Sequence, residues 1–451
     1  MASTYLQRIT EAGSTGKKWT FSVWLKRSSP SVSSHIWNCS SDDDSSHYIE
    51  ICIKNTDKLD MQFRKGTSGD NGTFIRRITN RVFRDPNAWY HLVMRMDTTE
   101  SSASDRFRVY VNGVQETSWD TETGTIPLNY QTEISTTGSE NRIGRGAGSS
   151  SSYWDGSMSH LHFCDDYSYA PTVFGSTDST TGEWKITTSP SVSYGTNGFF
   201  IFKDGNNLSG STVQDQSGEG HNLSVENGTL TKTEDCPSNV FATLNPLDKA
   251  IVGTDPTFAN GNTKWTSSGN NTSNNAVQGT IGASSGKYYF EIKATTANYL
   301  FVGMRNQNVT PSWDATGYSA NNTGFYGVNN EGKKIVGGTG TNSIFTQISN
   351  NDIFCCAYDL DNKKFWVRTN DGAWYASGNP VTGANSLGTL ADGTYLPIVF
   401  NGHYSYASAC ECNFGNGYFG TTQISSEGTN ASGIGKFEDD VPTGYTALCT
   451  K

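Results

Sequence analysis

Apolar and polar residues alternate with a period of two through most of this chain. In KKWTFSVWLKRS, Trp19, Phe21, Val23 and Leu25 alternate with Thr20, Ser22, Trp24 and Lys26, the signature of a half-buried strand. The rhythm returns in HYIEICIK (47–54), KLDMQFRK, AWYHLVMRMD and RFRVYVNGVQ, each run bounded by Gly, Asn, Asp or Ser. Asn112-Gly113, set between Val111 and Val114, is a strong hairpin signal. After a less regular stretch the pattern resumes at GKYYFEIKA, where Tyr288, Phe290 and Ile292 alternate with Tyr289, Glu291 and Lys293. It continues through NYLFVGMR, TGFYGVNNEGKKIVGG, DIFCCAYDL, KKFWVRT, YLPIVFN and ASACECNFG. No helical period persists beyond a turn or two, so the pattern predicts an all-β protein.

The segment YDLDNKKFWVRTNDGAWY (358–375) carries two competing signals. Asp359, Asp361 and Asn362 resemble the opening of a calcium loop, but Lys363 and Lys364 occupy the positions that need an oxygen ligand and a glycine. Alternation resolves the choice. Phe354, Cys356 and Tyr358 share one face, Phe365 and Val367 share a face that can meet it, and Asp361-Asn362 then forms the turn of an antiparallel pair.

A chain of 451 residues is too long for one ordinary core. The pattern divides it into a sandwich over 1–170, closing strands and an extended connector over 171–255 with Pro237, Pro246 and Pro256 marking the linker, and a second sandwich with a C-terminal tail over 256–451. Composition agrees: 34% hydrophobic and 17% charged residues, 12% aromatic, with 48 Gly and 21 Tyr, suit short strands and turns. The net charge of −10 and the lack of a basic block argue against nucleic acid as partner. MASTYLQRITEAGSTGKKW has no apolar segment of signal-peptide type, and no run has the length of a membrane span, so synthesis and assembly in the cytoplasm, without membrane insertion, are expected. The nine Cys, at 39, 52, 164, 236, 355, 356, 410, 412 and 449, lack zinc-site spacing and are expected as free, mostly buried thiols.

Two family resemblances follow from ordered motifs. WTFSVWLKRS, NAWYHLVMRMDTT, RFRVYVNGV, NRIGRG and YWDGSMSHLHFCD resemble, in that order, the concanavalin A-like or laminin-G-like jelly roll over residues 16–166. GKYYFEI, VGM, TGFYGVNNEGKKI, NDIFCCAYDLDNKKFWVRTNDGAW, YLPIVFN and CECNFG resemble a SPRY domain over 280–420. RVFRDPNAWYHLVMRMDTT, YGTNGFFIFKD, NVFATLNPL and DDVPTGYTALCTK make the whole chain resemble structural proteins of marine tailed bacteriophages. That resemblance implies a virion component, a fibre, spike or surface decoration, made in the host cytoplasm.

The jelly-roll family includes glycosidases whose strand carries Glu-x-Asp-x-Glu, a triplet that is absent from this sequence. No catalytic residue is therefore assigned, and a non-enzymatic protein is expected; the alternatives are a polysaccharide-cleaving fibre enzyme and a purely architectural decoration. His47, His91, His160 and His162 read as residues of a solvent-facing sheet surface rather than metal ligands. No cofactor is expected, with one candidate ion: Asp42, Asp43 and Asp44 form the run best suited to a calcium contact, against the plainer reading of a solvated turn. Trp119, Trp154, Trp313, Tyr318, Trp374, Tyr375, His403, Tyr404 and Tyr406 sit in turn-rich text, where rings offer faces to sugar C–H groups or to a protein partner. The SPRY resemblance implies that 310–318, 371–375 and 401–407 form a partner surface at one end of the second sandwich. The expected partners are host-surface glycan and other virion proteins, and a homo-oligomer would multiply weak sites.

Overall fold

The computed structural model describes residues 3–41, 46–65, 73–147, 152–203, 208–252, 254–269, 274–309, 323–342, 344–403 and 405–451. The chain divides into two compact units, residues 1–232 and 233–451. Both are all-β, and the described helical turns are short 3-10 segments such as Pro171–Val173. No helix among the described residues is long and apolar enough to cross a membrane.

The first unit is a sandwich of a ten-stranded and a six-stranded antiparallel sheet. The larger runs in the order Trp119–Thr123, Thr73–Val82, Lys58–Lys65, His47–Ile53, Ser34–Ser40, Glu140–Ile143, Tyr5–Ile9, Leu223–Glu226, Thr212–Val213, Leu208–Ser209. The smaller runs Phe199–Ile201, Gly156–Asp165, Lys18–Arg27, Tyr90–Asp97, Phe107–Val111, Val114–Gln115. The expected inner-face residues Trp19, Phe21, Val23 and Leu25 all enter the core. Trp37 joins the layers: its ring stacks on Phe21 at 4.7 Å and meets Trp19 edge-on at 5.3 Å. The Asn112-Gly113 hairpin forms with φ of 49° and 77°, the mirror-image turn that suits strand twist. A side chain at Gly113 would collide with the Trp184 ring, so the position needs glycine twice over.

The smaller sheet departs from the expected half-buried state. Thr20, Ser22 and Trp24 are buried too, because residues 167–194 fold back over the outer face. Val93, Cys164, Phe174, Tyr194 and Phe200 form a second apolar cluster there. This corrects the reading of His91 and His162 as solvent-facing: both are buried. The stretch 171–255 is shared between the units. Phe199–Ile201 joins the smaller sheet, three strands over 208–226 extend the larger one, and Leu244–Val252 belongs to the second unit, with Pro246 at a register shift.

The second unit is a sandwich of two seven-stranded sheets. Phe354, Cys356, Tyr358, Phe365 and Val367 all enter its core, as the alternation requires. Between the strands Ile353–Asp359 and Lys364–Thr369, Asn362 donates from its backbone N to Asp359 Oδ1 (2.9 Å) and from Nδ2 to Oδ2 (2.8 Å). Those acidic oxygens build a turn. Here again the face expected to be polar is covered. Tyr289, Cys355 and Trp366 pack under Phe241, Phe437, Val441, Tyr445 and Ala447, mostly from the C-terminal tail. Buried Glu291 fastens that tail, accepting hydrogen bonds from Tyr289 Oη, Asn413 Nδ2 and the backbone N–H groups of Glu438 and Asp439 at 2.9–3.1 Å.

All nine cysteines are free thiols, seven of them buried. Replacing Glu291 by Ala removes the acceptor shared by four donors, of which only Asn413 Nδ2 keeps another, the Lys436 carbonyl, a loss on the order of 2–4 kcal/mol. Limited proteolysis of Glu291→Ala is expected to open new cleavage sites between Phe437 and Lys451; a digestion pattern identical to the parent's would contradict the fastening role.

Candidate functional site

Of the nine aromatic candidates, six lie among the described residues, two in the first unit and four in the second. Trp313 and Tyr318, with the whole of 310–318, lie outside the described residues, as do Tyr404 and the calcium candidates Asp42, Asp43 and Asp44. Trp119 and Trp154 pack partly against the first unit's core. Trp374 rests against the apolar cluster of the second unit beneath the Arg368 guanidinium, 4.9 Å from its ring. Tyr375 stacks on Phe345 at 3.9 Å and bonds to Thr369 Oγ1. His403 and Tyr406 do meet, and Tyr299 completes the group: the three ring centroids lie 5.0–5.1 Å apart.

The described flanks of 310–318 do not share an end of the sheet with 401–407. Leu300 pairs with Asn401 at one end of a sheet, and Asn306 pairs with Tyr395 at the other. The described flanks of 310–318 are joined by Asn306 N to Gly324 O (2.9 Å), so they stand at the end opposite 401–407. Sequence motifs placed these loops in order, but strand direction decides their ends.

A more continuous arrangement lies on the outer face of the ten-stranded sheet, where no second apolar cluster forms among the described residues. The register aligns Arg76, Gln62, Glu50, Asn38, Arg142, Gln7 and Ser224 as cross-strand partners over seven neighbouring strands. At about 4.8 Å per strand the row is roughly 29 Å long. Flanking it, Tyr48 Oη donates to Gln62 Oε1 (3.1 Å), and Gln62 Nε2 donates to Asp60 Oδ2 (3.0 Å). Arg76 grips both Asp60 oxygens, at 3.0 and 2.7 Å. Ser40 Oγ donates to Asn38 Oδ1 (3.1 Å), and Arg142 Nη1 reaches Ser40 Oγ (3.2 Å) and pairs with Glu140.

Asn38, Ser40, Asp60 and Arg142 form the buried floor, while Gln7, Tyr48, Glu50, Gln62 and Arg76 remain partly exposed above it. A floor of mutually hydrogen-bonded side chains holds the accessible groups in place. Fixed donors and acceptors beside a tyrosine ring are the chemistry that recognises a polyhydroxylated ligand. Sequence reasoning missed this site. Its signal is present as polar residues at alternate positions of HIWNCS, HYIEICIK and KLDMQFRK, but a row needs the register between strands.

Two groups gather metal-type ligands. His35, Glu50 and Cys52 place one donor atom each within 4.8 Å of one another, at the end of the polar face. Burial pushes the Cys52 thiol up to about 12. Glu291, Cys355 and Asp439 form the second, fully buried group. There the Glu291 oxygens are already engaged by four donors, and Cys355 Sγ lies 3.0 Å from Asp439 Oδ2, so the group reads as structural.

Residues 2–173 match the concanavalin A-like lectin/glucanases superfamily. No curated protein matches the chain by sequence. Among solved structures, the chain is similar to the SPRY domain of human HERC1, with 13% identity, 38% of this chain and 96% of that one covered, and a TM-score of 0.29. It is also similar to the heptameric SAP-like pentraxin of Limulus polyphemus, with 18% identity, 37% and 72% coverage and a TM-score of 0.26. A third likeness is to domain 4 of AbnA, an extracellular arabinanase of Geobacillus stearothermophilus solved with arabinotriose: 14% identity, 35% and 64% coverage, TM-score 0.24. The first unit is a sandwich of the concanavalin A-like, laminin-G-like kind, and the second is a sandwich of two seven-stranded sheets.

The histidines on the covered sheet have a different role from recognition. Trp184 Nε1, a donor only, lies 2.8 Å from His91 Nδ1, so His91 carries its proton on Nε2 and donates it to Ser22 Oγ (2.9 Å). Burial holds His91 down at about 3, and burial with neighbouring positive charge holds His162 well below its usual range. A folded-state value below the unfolded one makes the unfolded chain bind more protons, so stability is full above pH 6.5 and falls as the pH drops toward 3. The loss attributable to His91 is on the order of a few kcal/mol. Thermal unfolding of the first unit should shift down steadily between pH 7 and pH 4, and His91→Gln should flatten that slope; equal slopes in parent and variant would refute it.

Proposed function

We propose that this chain binds carbohydrate without cleaving it, through the polar face of its ten-stranded sheet. The observation that carries the reading is the row from Arg76 to Ser224, a continuous line of cross-strand polar partners on the face that no apolar cluster covers among the described residues. The length of the row suits an extended oligosaccharide better than a single sugar. The match of this unit to a superfamily of lectins and glucanases supports the ligand class. Binding is favoured over hydrolysis by the missing Glu-x-Asp-x-Glu strand and by the state of Asp60, whose two oxygens are held by Arg76, Gln62 and Lys54 and so cannot serve as a free nucleophile.

The finer part of the proposal is the setting. The motifs shared with tailed-phage structural proteins support a virion component, a fibre, spike or decoration, whose glycan contacts attach the particle to a host surface. The second unit would then dock onto another virion protein through loops such as 401–407, where Tyr299, His403 and Tyr406 gather. Repetition in a homo-oligomer would raise avidity without new contacts.

The test is glycan-array binding by the purified full chain, paired with a reducing-sugar assay on every glycan bound. Retention of at least one polysaccharide with no product is expected, and Gln62→Ala and Arg76→Ala should each weaken binding about tenfold, the loss of one or two polar contacts. Release of reducing ends would replace this reading with that of a polysaccharide-cleaving enzyme. Absence of binding across the array would leave an architectural decoration.

A further inference from the structure

The His35–Glu50–Cys52 group lies where three structural features coincide. The strand Ser34–Ser40 pairs with His47–Ile53 so that His35 faces Cys52, with a register shift immediately after it between His35 and Trp37. That irregularity is what brings His35 beside the outer-face side chains of the neighbouring strand. Glu50 and Cys52 are two residues apart on one strand and so project to the same side.

The His35 ring is oriented from behind. Its Nδ1 lies 2.8 Å from the carbonyl oxygen of Ser152, an acceptor only, so Nδ1 carries a proton and Nε2 is the nitrogen left to offer a lone pair to a metal. That lone pair faces Glu50 Oε1 at 3.5 Å. A carbonyl that fixes the far nitrogen is the arrangement by which proteins hold an imidazole for a metal. Residue 146 packs against the face of this ring and has to be glycine: a Cβ there would stand over the ring plane, 2.5 Å from Nε2 and 2.7 and 2.8 Å from the adjoining ring carbons. Other charged groups at hand are Lys54 and Asp60, which pair with each other at 3.4 Å, Lys54 also contacting Cys52.

We infer that His35 Nε2, Glu50 carboxylate and Cys52 Sγ form a binding site for a thiophilic divalent cation of the zinc class, set at the edge of the polar face. An imidazole, a carboxylate and a thiolate suit Zn²⁺ in preference to the all-oxygen shells that calcium and magnesium require. The three atoms need to close in only modestly from their present separation to reach bonding distance of one ion. Charge balances through Cys52: the thiol proton passes to solvent as the sulfur–metal bond forms, and carboxylate and thiolate together neutralise the dication. Three protein ligands leave a fourth position for water or for an oxygen of a bound ligand. The site shares Glu50 with the polar row, but its argument does not rest on the carbohydrate reading.

The experiment uses the purified full chain, reduced and stripped of metal, titrated with Co²⁺ as a spectroscopic stand-in and then with Zn²⁺ alone. One equivalent of Co²⁺ should give the near-ultraviolet charge-transfer band of a cobalt–thiolate bond together with strong visible bands of four-coordinate geometry, and Zn²⁺ should displace it. Cys52→Ser should abolish the charge-transfer band, His35→Ala should weaken Co²⁺ binding at least a hundredfold, and Glu50→Gln, at a partly exposed position, should weaken it about tenfold. Gly146→Ala keeps all three donors but presses a methyl group onto the face of the His35 ring and displaces Nε2, so it too should abolish binding, with the far-ultraviolet circular dichroism of each variant serving as the folding check. A charge-transfer band that survives Cys52→Ser would place the cobalt on another of the nine thiols and overturn the assignment, as would the absence of any band in the parent protein. Unchanged affinity in folded Gly146→Ala would overturn it equally.

Discussion

A strand has two faces, and what covers each face governs everything else in this protein. Within each unit, alternating side chains drive one face of each sheet into a shared interior, where Trp37 stacks on Phe21 and Phe290 packs near Tyr358. A second covering then closes some of the outer faces. Residues 167–194 lie over the smaller sheet of the first unit, and the C-terminal tail lies over one sheet of the second. The outer face of the ten-stranded sheet has no such apolar cluster among the described residues, and polar rows are concentrated there. Accessibility for recognition is thus decided by where extra segments fold back.

The two kinds of outer face use their polar residues in opposite ways. Under a cover, polar groups are spent on structure: neutral His91 bridges Trp184 and Ser22, and Glu291 gathers four donors to fasten the tail. On the polar face, the hydrogen bonds run among side chains in a floor of Asn38, Ser40, Asp60 and Arg142, leaving Gln7, Glu50, Gln62 and Arg76 partly open above it. A rigid floor lowers the entropy lost when a flexible, hydroxyl-rich ligand is held. The same logic favours grip over chemistry, since a carboxylate tied by two cations and an amide, as Asp60 is, has little capacity left for attack.

Aromatic residues illustrate how turn-rich text can mislead. Trp119, Trp154 and Trp374 stand in loop-like sequence, yet each leans on a core or cluster, because a short turn leaves a large ring within reach of the sandwich edge. Tyr375 stacks on Phe345 for the same reason. Among the described residues, His403 and Tyr406 form a rim group of the expected kind, and they do so with Tyr299, which the sequence reading did not single out.

Local rules were enough to read the class of fold, the inner-face residues of most strands, the Asn112-Gly113 hairpin and the Asp359–Asn362 turn from the amino-acid order alone. Each depends on neighbours within a few positions, where period-two alternation and turn chemistry act directly. The burial of His162, the fastening role of Glu291 and the polar row itself depend on residues tens to hundreds of positions apart. Gln7 meets Arg142 and Ser224 only through strand register, and Glu291 meets Asp439 only because the tail returns across the sheet. Alternation tells which side of a strand a residue takes; which strands lie beside it, and what lies over it, is settled by the tertiary fold, because burying apolar surface fixes those long-range pairings.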